Sequence, residues 1–338
     1  MLKQIAALLF NTSFLYSVLR VTAPILFAAL GGVMAKRAGI LNIALESMML
    51  TSALTGVVVS AKVKLAILGG LRRVDPGYSE VIGKANAWGT IAGFLAGVLV
   101  ATLLGLFLGL MGIQLQANIY LTGLAMNTMA TGGTVFVLYL AAGEKGISSS
   151  LPSTVMPRID IPLIKDIPII GEIFSGHSIM VYLAALCVPI VYVLIMRTTM
   201  GLRIRAVGEN PDAAESVGVN VKKVQFQALA LSGFFAGLGG ITMSMAYLAF
   251  FSRGMTAGRG FIAMSAMNLG NATPVGTALA ALLFGMFDAM GNVLQSLSFP
   301  SQFIQMIPYA ATLVGLVVFA VQTERRLKKI KMEQERDS

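Results

Sequence analysis

RTTMGLRIRAVGENPDAAESVGVNVKK, residues 197–223, is a long polar interruption between two strongly apolar halves of a 338-residue chain. It also carries the marks of a short, well-delimited helix. Asn210 is a favourable N-cap, and Pro211 falls at the first helical position, where a missing N–H costs nothing. Asp212 and Glu215 place negative charge toward the positive pole of the helix, and Gly218 supplies a left-handed stop. The pattern predicts a helix over 211–217, about two turns or roughly 10 Å long. Ala213, Ala214 and Val217 then form a small-residue face. A loop that merely joins two spans has no need of such an element. A loop that docks on another protein does.

The flanking sequence defines the class of protein that carries this helix. Hydrophobic residues make up 56% of the chain and charged residues only 12%, with mean hydropathy +0.80. Soluble domains carry about 25% charge. The uncharged runs 90–143 and 224–252 exceed the roughly 20 apolar residues needed to cross a bilayer. They are continuously apolar, whereas a transmembrane barrel alternates in segments of about ten residues. The expected fold is an all-α polytopic membrane protein, a single domain over 1–338, with about 8–10 transmembrane helices.

The net charge of +10 does not point to nucleic acid. Arg325, Arg326, Lys328, Lys329 and Lys331 follow the last apolar run, where cytoplasmic retention and anionic headgroups favour cations. Cys187, the single cysteine, lies inside an apolar run, so no disulfide framework or cysteine metal site is expected. The first ten residues lack a small-residue cleavage pattern, so no cleavable signal peptide is expected.

Window hydropathy places spans at roughly 13–34, 40–60, 88–111, 118–141, 178–196, 224–250, 260–296 and 302–322, the seventh broken. Two runs are interrupted. AGILNIALE at 38–46 contains a glycine, an asparagine and a glutamate; NLGNATPVG at 268–276 contains two asparagines, glycines and Pro274. Non-helical backbone at membrane depth persists only where protein or a watery path satisfies it, and transporters hold substrate at such breaks. With the coupling loop 197–223 and the tail 324–338 cytoplasmic, 142–177 and 61–87 both fall outside. The second of these carries five cations against Asp75 and Glu80, contrary to the positive-inside rule. An early segment that crosses only partway, near Arg20, would restore the parity. The pairs Gly105–Gly109 and Gly233–Gly237 have the spacing of close helix packing within a bundle.

Residues 201–221, GLRIRAVGENPDAAESVGVNV, resemble the cytoplasmic coupling loop of ABC-importer permeases in the branched-chain amino acid and simple-sugar group. AGILNIALESMML at 38–50 and GRGFIAMSAMNLGNATPVGTALAALLFGMFDA at 258–289 resemble segments of the nucleoside-type permeases of that group, in the same order. The sequence departs from the pattern in the long basic stretch 61–87 and at Ala44, Ser47 and Met264–Met267. The resemblance implies a bacterial plasma-membrane permease that pairs with a homologous second permease. Two cytosolic ABC ATPases would bind ATP and magnesium, and an extracytoplasmic substrate-binding lipoprotein would deliver the solute. No cofactor or metal is expected in this chain, which has no G-x-x-x-x-G-K-[S/T] phosphate loop. Glu209, Asn210, Pro211, Ala213, Ala214 and Gly218 would couple to the ATPase.

Polar groups within the apolar runs are the candidates for a solute path. Asn42 and Glu46 share a face at helical spacing and offer donors and acceptors to a ribose or a base edge, or they cap the break. Asn118 and Asn127 either line the path or bridge helices. Asn268 lies at the second break with Asn271, and Arg259 could donate to a solute oxygen or anchor at the interface. Asp288 suits a hydrogen bond to a neighbouring helix better than ion coupling, and His177 has no metal-binding companions. The leading expectation is therefore a nucleoside importer permease. A monosaccharide permease is the near alternative. An ion-coupled transporter is disfavoured by the scarcity of intramembrane charge, and an enzyme by the lack of a nucleophile or metal cluster.

Overall fold

The computed structural model describes residues 11–69, 75, 77–162, 167, 169–296 and 317. Helix α1, Thr12–Arg37, ends with Lys36 and Arg37 in its last turn, against the negative pole of its dipole. Its 26 residues span about 39 Å. It is apolar on every side and buried at the centre of the bundle. After an extended break come α2 (Leu45–Leu68) and α3 (Tyr78–Gly109), the latter continued by a π turn at Leu110–Gln114. Helix α4, Ile119–Ala142, stops at Gly143 with φ 71°, a left-handed conformation that glycine adopts without strain.

Two short strands, β1 (Arg158–Ile159) and β2 (His177–Ser178), pair antiparallel around the small helix α5 (Ile170–Phe174). Then follow α6 (Ile179–Arg197), α7 (Thr199–Glu209) and α8 (Pro211–Ser216). The second central helix is α9, Val221–Ile241, which ends in a π turn at Thr242–Tyr247. Helix α10 covers Arg259–Leu269 and α11 covers Pro274–Ser296. Among the described residues seven helices are long and apolar enough to cross a membrane. The expected span 302–322 and the tail 324–338 lie outside the described residues.

The bundle has two distinct ends. At one, Thr12 Oγ1 donates to Glu172 at 2.6 Å, the Tyr16 hydroxyl donates to the Gly176 carbonyl at 2.9 Å, and Thr154 N–H reaches Ser60 Oγ at 3.5 Å. The end of α2 and the 143–178 connection therefore meet there, opposite α8, which bears on the topology expected for 61–87. The partial crossing is late rather than early. Helix α1 runs unbroken past Arg20 and Pro24, whereas α10, with 11 residues or about 16 Å, covers only half a bilayer. The run 260–296 is thus a half-span and a full span joined by a turn at 270–273.

Backbone freed by these interruptions is satisfied from the loop end. Ser148 N–H donates to the Phe251 carbonyl, and Phe251 N–H donates back to Ser148 Oγ, both at 2.9 Å. Arg253 N–H bonds the Gly146 carbonyl, and Met156 N–H bonds the Met245 carbonyl in the π turn. Residues 146–156 therefore form a strap over the stretch leading into α10.

Helix α3 buries a small residue at every fourth position: Ala85, Gly89, Gly93, Gly97, Ala101, Gly105 and Gly109. A Cβ on Gly93 would lie 2.5 Å from the Gly56 carbonyl of α2, and one on Gly105 would lie 2.4 Å from the Leu229 carbonyl of α9. The backbones pack directly on one another, which accounts for the glycine spacings as packing within the bundle.

Candidate functional site

Glu46 joins the first break to the start of α10. Its Oε1 accepts from Gly258 N–H at 2.9 Å and its Oε2 from Gly260 N–H at 2.7 Å. These donors open α10, so the carboxylate caps the positive pole of the half-span from a neighbouring helix. Of the two roles open to Glu46, the geometry supplies the capping one, with N–H groups at the start of α10 rather than those of its own break.

Asn42 is buried within the first break. Its Oδ1 accepts from Ala44 N–H at 2.9 Å, and its Nδ2 donates to Ser232 Oγ of α9 at 2.8 Å. Asn127, projecting from α4, closes the same turn from outside. It accepts from Ser47 N–H at 2.9 Å and donates to the Ile43 carbonyl at 3.0 Å. One amide thus satisfies two backbone groups left open where α2 begins. Asn118 is separate from this cluster: it is exposed at the docking end and caps α4 through Tyr120 and Leu121 N–H.

The second break is anchored by charge. Lys36 Nζ donates to Asn268 Oδ1, and Arg37 Nε donates to the Ala272 carbonyl at 2.8 Å. Asn271 and Ala272 are held at positive φ in the turn between α10 and α11. Arg259 turns away from Glu46 and meets Asp288 of α11, with Nη2 at 2.7 Å and Nε at 3.1 Å from the same oxygen. Asp288 is therefore a paired acid, bonded to the helix preceding its own. The outward face of α10 carries the half-buried Phe261, Met264, Ser265, Asn268 and Leu269. Among the described residues no group of three or more His, Cys, Asp and Glu is placed to hold a metal ion.

The docking loop differs in two respects from its sequence reading, the end of its helix and the burial of Ala214. Helix α8 ends at Ser216, with Asn210 Oδ1 accepting from Ala213 N–H at 3.1 Å. Ala213 is exposed, and Val217 is 77% exposed, but Ala214 is buried in a cluster with Ala38, Ile204, Val207, Val224 and Ala228. Ala214 therefore does not share a free face with Ala213 and Val217; α7 folds back and takes it. Glu209, Pro211 and Gly218 are exposed beside it, and Gly218 has φ 85°. Beneath, Gly208 of α7 packs so closely on the Arg37 carbonyl that a Cβ would overlap it, and Gly39 abuts Gly208. An open cleft of about 890 Å³ lies alongside, bounded by Gly39, Leu41, Gly112, Tyr120, Glu215 and Lys222.

The six path candidates do not converge on one enclosed cavity. Asn42, Glu46 and Asn127 assemble at the first break, Arg259 and Asn268 mark the two ends of α10, and Asn118 stands apart. Ser232, Lys36 and the strap serine Ser148 were not apparent as partners, being hydroxyls or a cation in otherwise ordinary contexts. Arg259 and Asp288 did carry a signal: each is an isolated charge of opposite sign in an apolar stretch.

Glu46→Gln keeps the side-chain shape but turns one acceptor into an NH₂ group facing an N–H donor. Loss of a hydrogen bond to a charged group costs about 1.5–3 kcal/mol. The expected result is a lower unfolding midpoint in detergent together with weaker transport. A wild-type midpoint with weakened substrate affinity would move Glu46 from the cap to the solute.

Two interrupted spans locked together, and tied through a tight glycine contact to a capped surface helix, define a multi-pass helical membrane protein of the transporter type. The chain belongs to the permease-component family of branched-chain amino acid transport systems, whose family model matches residues 14–322. It is 32% identical over 308 residues to the nucleoside ABC transporter permease protein NupC of Lactococcus lactis subsp. cremoris, covering 88% of this chain and 89% of that protein. It is 31% identical over 305 residues to the guanosine ABC transporter permease protein NupQ of Bacillus subtilis, covering 88% of each. Identity is also 31% over 293 residues to the putative glucose ABC transporter permease protein TsgC13 of Haloferax volcanii, covering 86% and 80% respectively. No solved structure matches the chain.

Proposed function

We propose that this chain is the membrane-spanning permease of an ATP-driven importer, with nucleosides as its solutes. The observation that carries the coupling is the contact path from α8 into the breaks. Ala214 of α8 packs on α7, Gly208 of α7 packs on Arg37 and Gly39, and Arg37 holds the Ala272 carbonyl at the end of the α10 turn. A displacement of α8 would be transmitted along this path to both interrupted spans. Its exposed face, with Ala213, Glu215 and Val217, is the surface offered to a cytosolic ABC ATPase.

The nucleoside assignment draws support from NupC and NupQ, which align along most of the chain. In the same two bacteria a second permease, NupB and NupP respectively, also aligns with part of it. We therefore assign the chain a homologous permease partner in a bacterial plasma membrane, with two ATPases carrying ATP and magnesium. An extracytoplasmic binding lipoprotein would dock at the 143–178 end. Glu46, Asn42, Asn127, Arg259 and Asn268 shape the path by fixing the two breaks, and the half-buried face of α10 borders it. TsgC13 motivates a second reading in which the solute is a monosaccharide.

Uptake by the assembled complex in proteoliposomes, competed with guanosine, uridine, ribose and glucose, separates these readings. With labelled substrate saturating, nucleosides of similar affinity at ten times its concentration are expected to suppress uptake by about tenfold, and the sugars to leave it unchanged. Competition by ribose or glucose alone would transfer the assignment to sugars. Uptake by the single chain, driven by an ion gradient without ATP, would overturn the importer reading.

A further inference from the structure

A small cavity of about 20 Å³ lies at the loop end, away from the breaks and from α8. It sits at the start of α6, whose 19 aligned peptides turn their positive pole toward it. Ser178 is the N-cap residue of that helix, yet its hydroxyl makes no capping bond. Ser178 Oγ and His177 Nδ1 are both buried without a hydrogen-bond partner among the described residues, and both side chains line the cavity. His177 is 1% exposed.

The rest of the lining is cationic or neutral: Arg20 of α1, Arg158 of β1, Tyr16, Tyr247 and three small or apolar residues. Arg20 donates to the Tyr247 carbonyl at 2.7 Å, and its guanidinium lies 4.2 Å from the centre of the Tyr247 ring. Among the described residues none of those lining the cavity is acidic. A cation held at membrane depth ordinarily meets an opposite charge. A helix N-terminus, an unspent hydroxyl and an arginine without a lining carboxylate together form the donor set of an anion site. The volume admits one particle about the size of a water molecule. We infer that this cavity binds one small monovalent anion, chloride in size and charge, and that His177 takes up a proton as the anion enters.

The proton follows from the geometry of the ring. His177 Nε2 lies 2.8 Å from the Ile173 carbonyl and must donate to it, which leaves Nδ1 as a bare acceptor in the neutral ring. Only protonation makes Nδ1 a donor to an anion. Burial, reinforced by Arg20, holds the His177 ring below its usual range, although the Ile173 carbonyl acts in the other direction. The ring is also stacked on Tyr16 at 3.9 Å and edge-on to Tyr182. Facing groups are thus Tyr16 and Arg20 from α1, Arg158 from β1, Asp160 just after it with its carboxylate beside Gly176, Tyr182 from α6 and Tyr247 from the π turn. An entering anion offsets the Arg20 charge, so anion and proton bind together, and affinity rises as pH falls.

The test is thermal unfolding of the full chain, purified with whatever partners accompany it. Titrations in sodium chloride are compared with sodium gluconate at equal ionic strength, at pH 6 and pH 8. Chloride is expected to raise the midpoint saturably, with several-fold tighter apparent binding at pH 6. Ser178→Ala removes one donor and should weaken chloride about tenfold while leaving the gluconate midpoint near wild type. Arg20→Gln should abolish the chloride effect. Coincident chloride and gluconate curves at both pH values would mean the cavity holds only water and would overturn the site. A chloride effect undiminished in Ser178→Ala would place the ion elsewhere, and equal affinity at both pH values would overturn the coupled proton.

Discussion

Asp288→Ala is expected to lower stability by about 3 kcal/mol, the lower part of the range for breaking a buried ion pair. Two of the guanidinium nitrogens of Arg259 meet one Asp288 oxygen, and the two side chains are only 14% and 15% exposed. Removing the acid strands a cation between α10 and α11, in surroundings that cannot hydrate it. Arg259→Met alone should cost a similar amount for the mirror-image reason. The double replacement Arg259→Met with Asp288→Leu should recover most of the loss, because an apolar pair of comparable volume needs no compensation. Unfolding midpoints of the four proteins in one detergent form the cycle. Additive losses in the double variant would show that the two charges act independently.

Val217→Arg is expected to abolish substrate-stimulated ATP hydrolysis while leaving the chain folded. Val217 is 77% exposed at the end of α8, so a longer side chain meets nothing within this chain. Against an ATPase surface, the same side chain would bury an unpaired charge at a cost of several kcal/mol. Ala214, by contrast, is a poor place for this experiment, since a larger residue there would wedge α8 from Ile204 and Val207. Co-purification of the ATPase and nucleoside-stimulated hydrolysis are the paired readouts, with unfolding of the membrane chain as control. Wild-type values for both would remove α8 from the docking surface.

The features legible in the sequence were those written in neighbouring residues. Asn210 and Pro211 mark the start of α8 because a cap and its helix are three residues apart. The breaks at 38–46 and 268–276 were legible because an apolar run interrupted by asparagine, glycine and proline cannot continue as a helix. The partners of the polar residues were not. Asn42 finds Ser232 across 190 positions, and Glu46 finds Gly260 across 214. Such separations are set by how helices stack, and periodicity along one helix contains no record of its neighbours. Burial of Ala214 was hidden for the same reason, because it depends on α7 turning back beneath it. The interruption of 260–296 was legible, but not that the chain reverses there and leaves α10 a half-span, because hydropathy does not register direction.

The four-residue beat of small side chains along α3 has a mechanical consequence. Helices joined by interdigitating leucines are keyed to one axial position, since each knob must leave its hole before the pair can slide. The contact of α3 with α2 and α9 has few such keys, because glycine and alanine recur at 85, 89, 93, 97, 101, 105 and 109. A glide of four residues, about 6 Å along the axis, brings each small residue to the place of the next and restores nearly the same surface. The profile for axial glide is therefore corrugated rather than a single well, with detents spaced like the teeth of a rack. Along this seam, relative movement of whole helices costs less than separation, which would sacrifice every backbone contact at once.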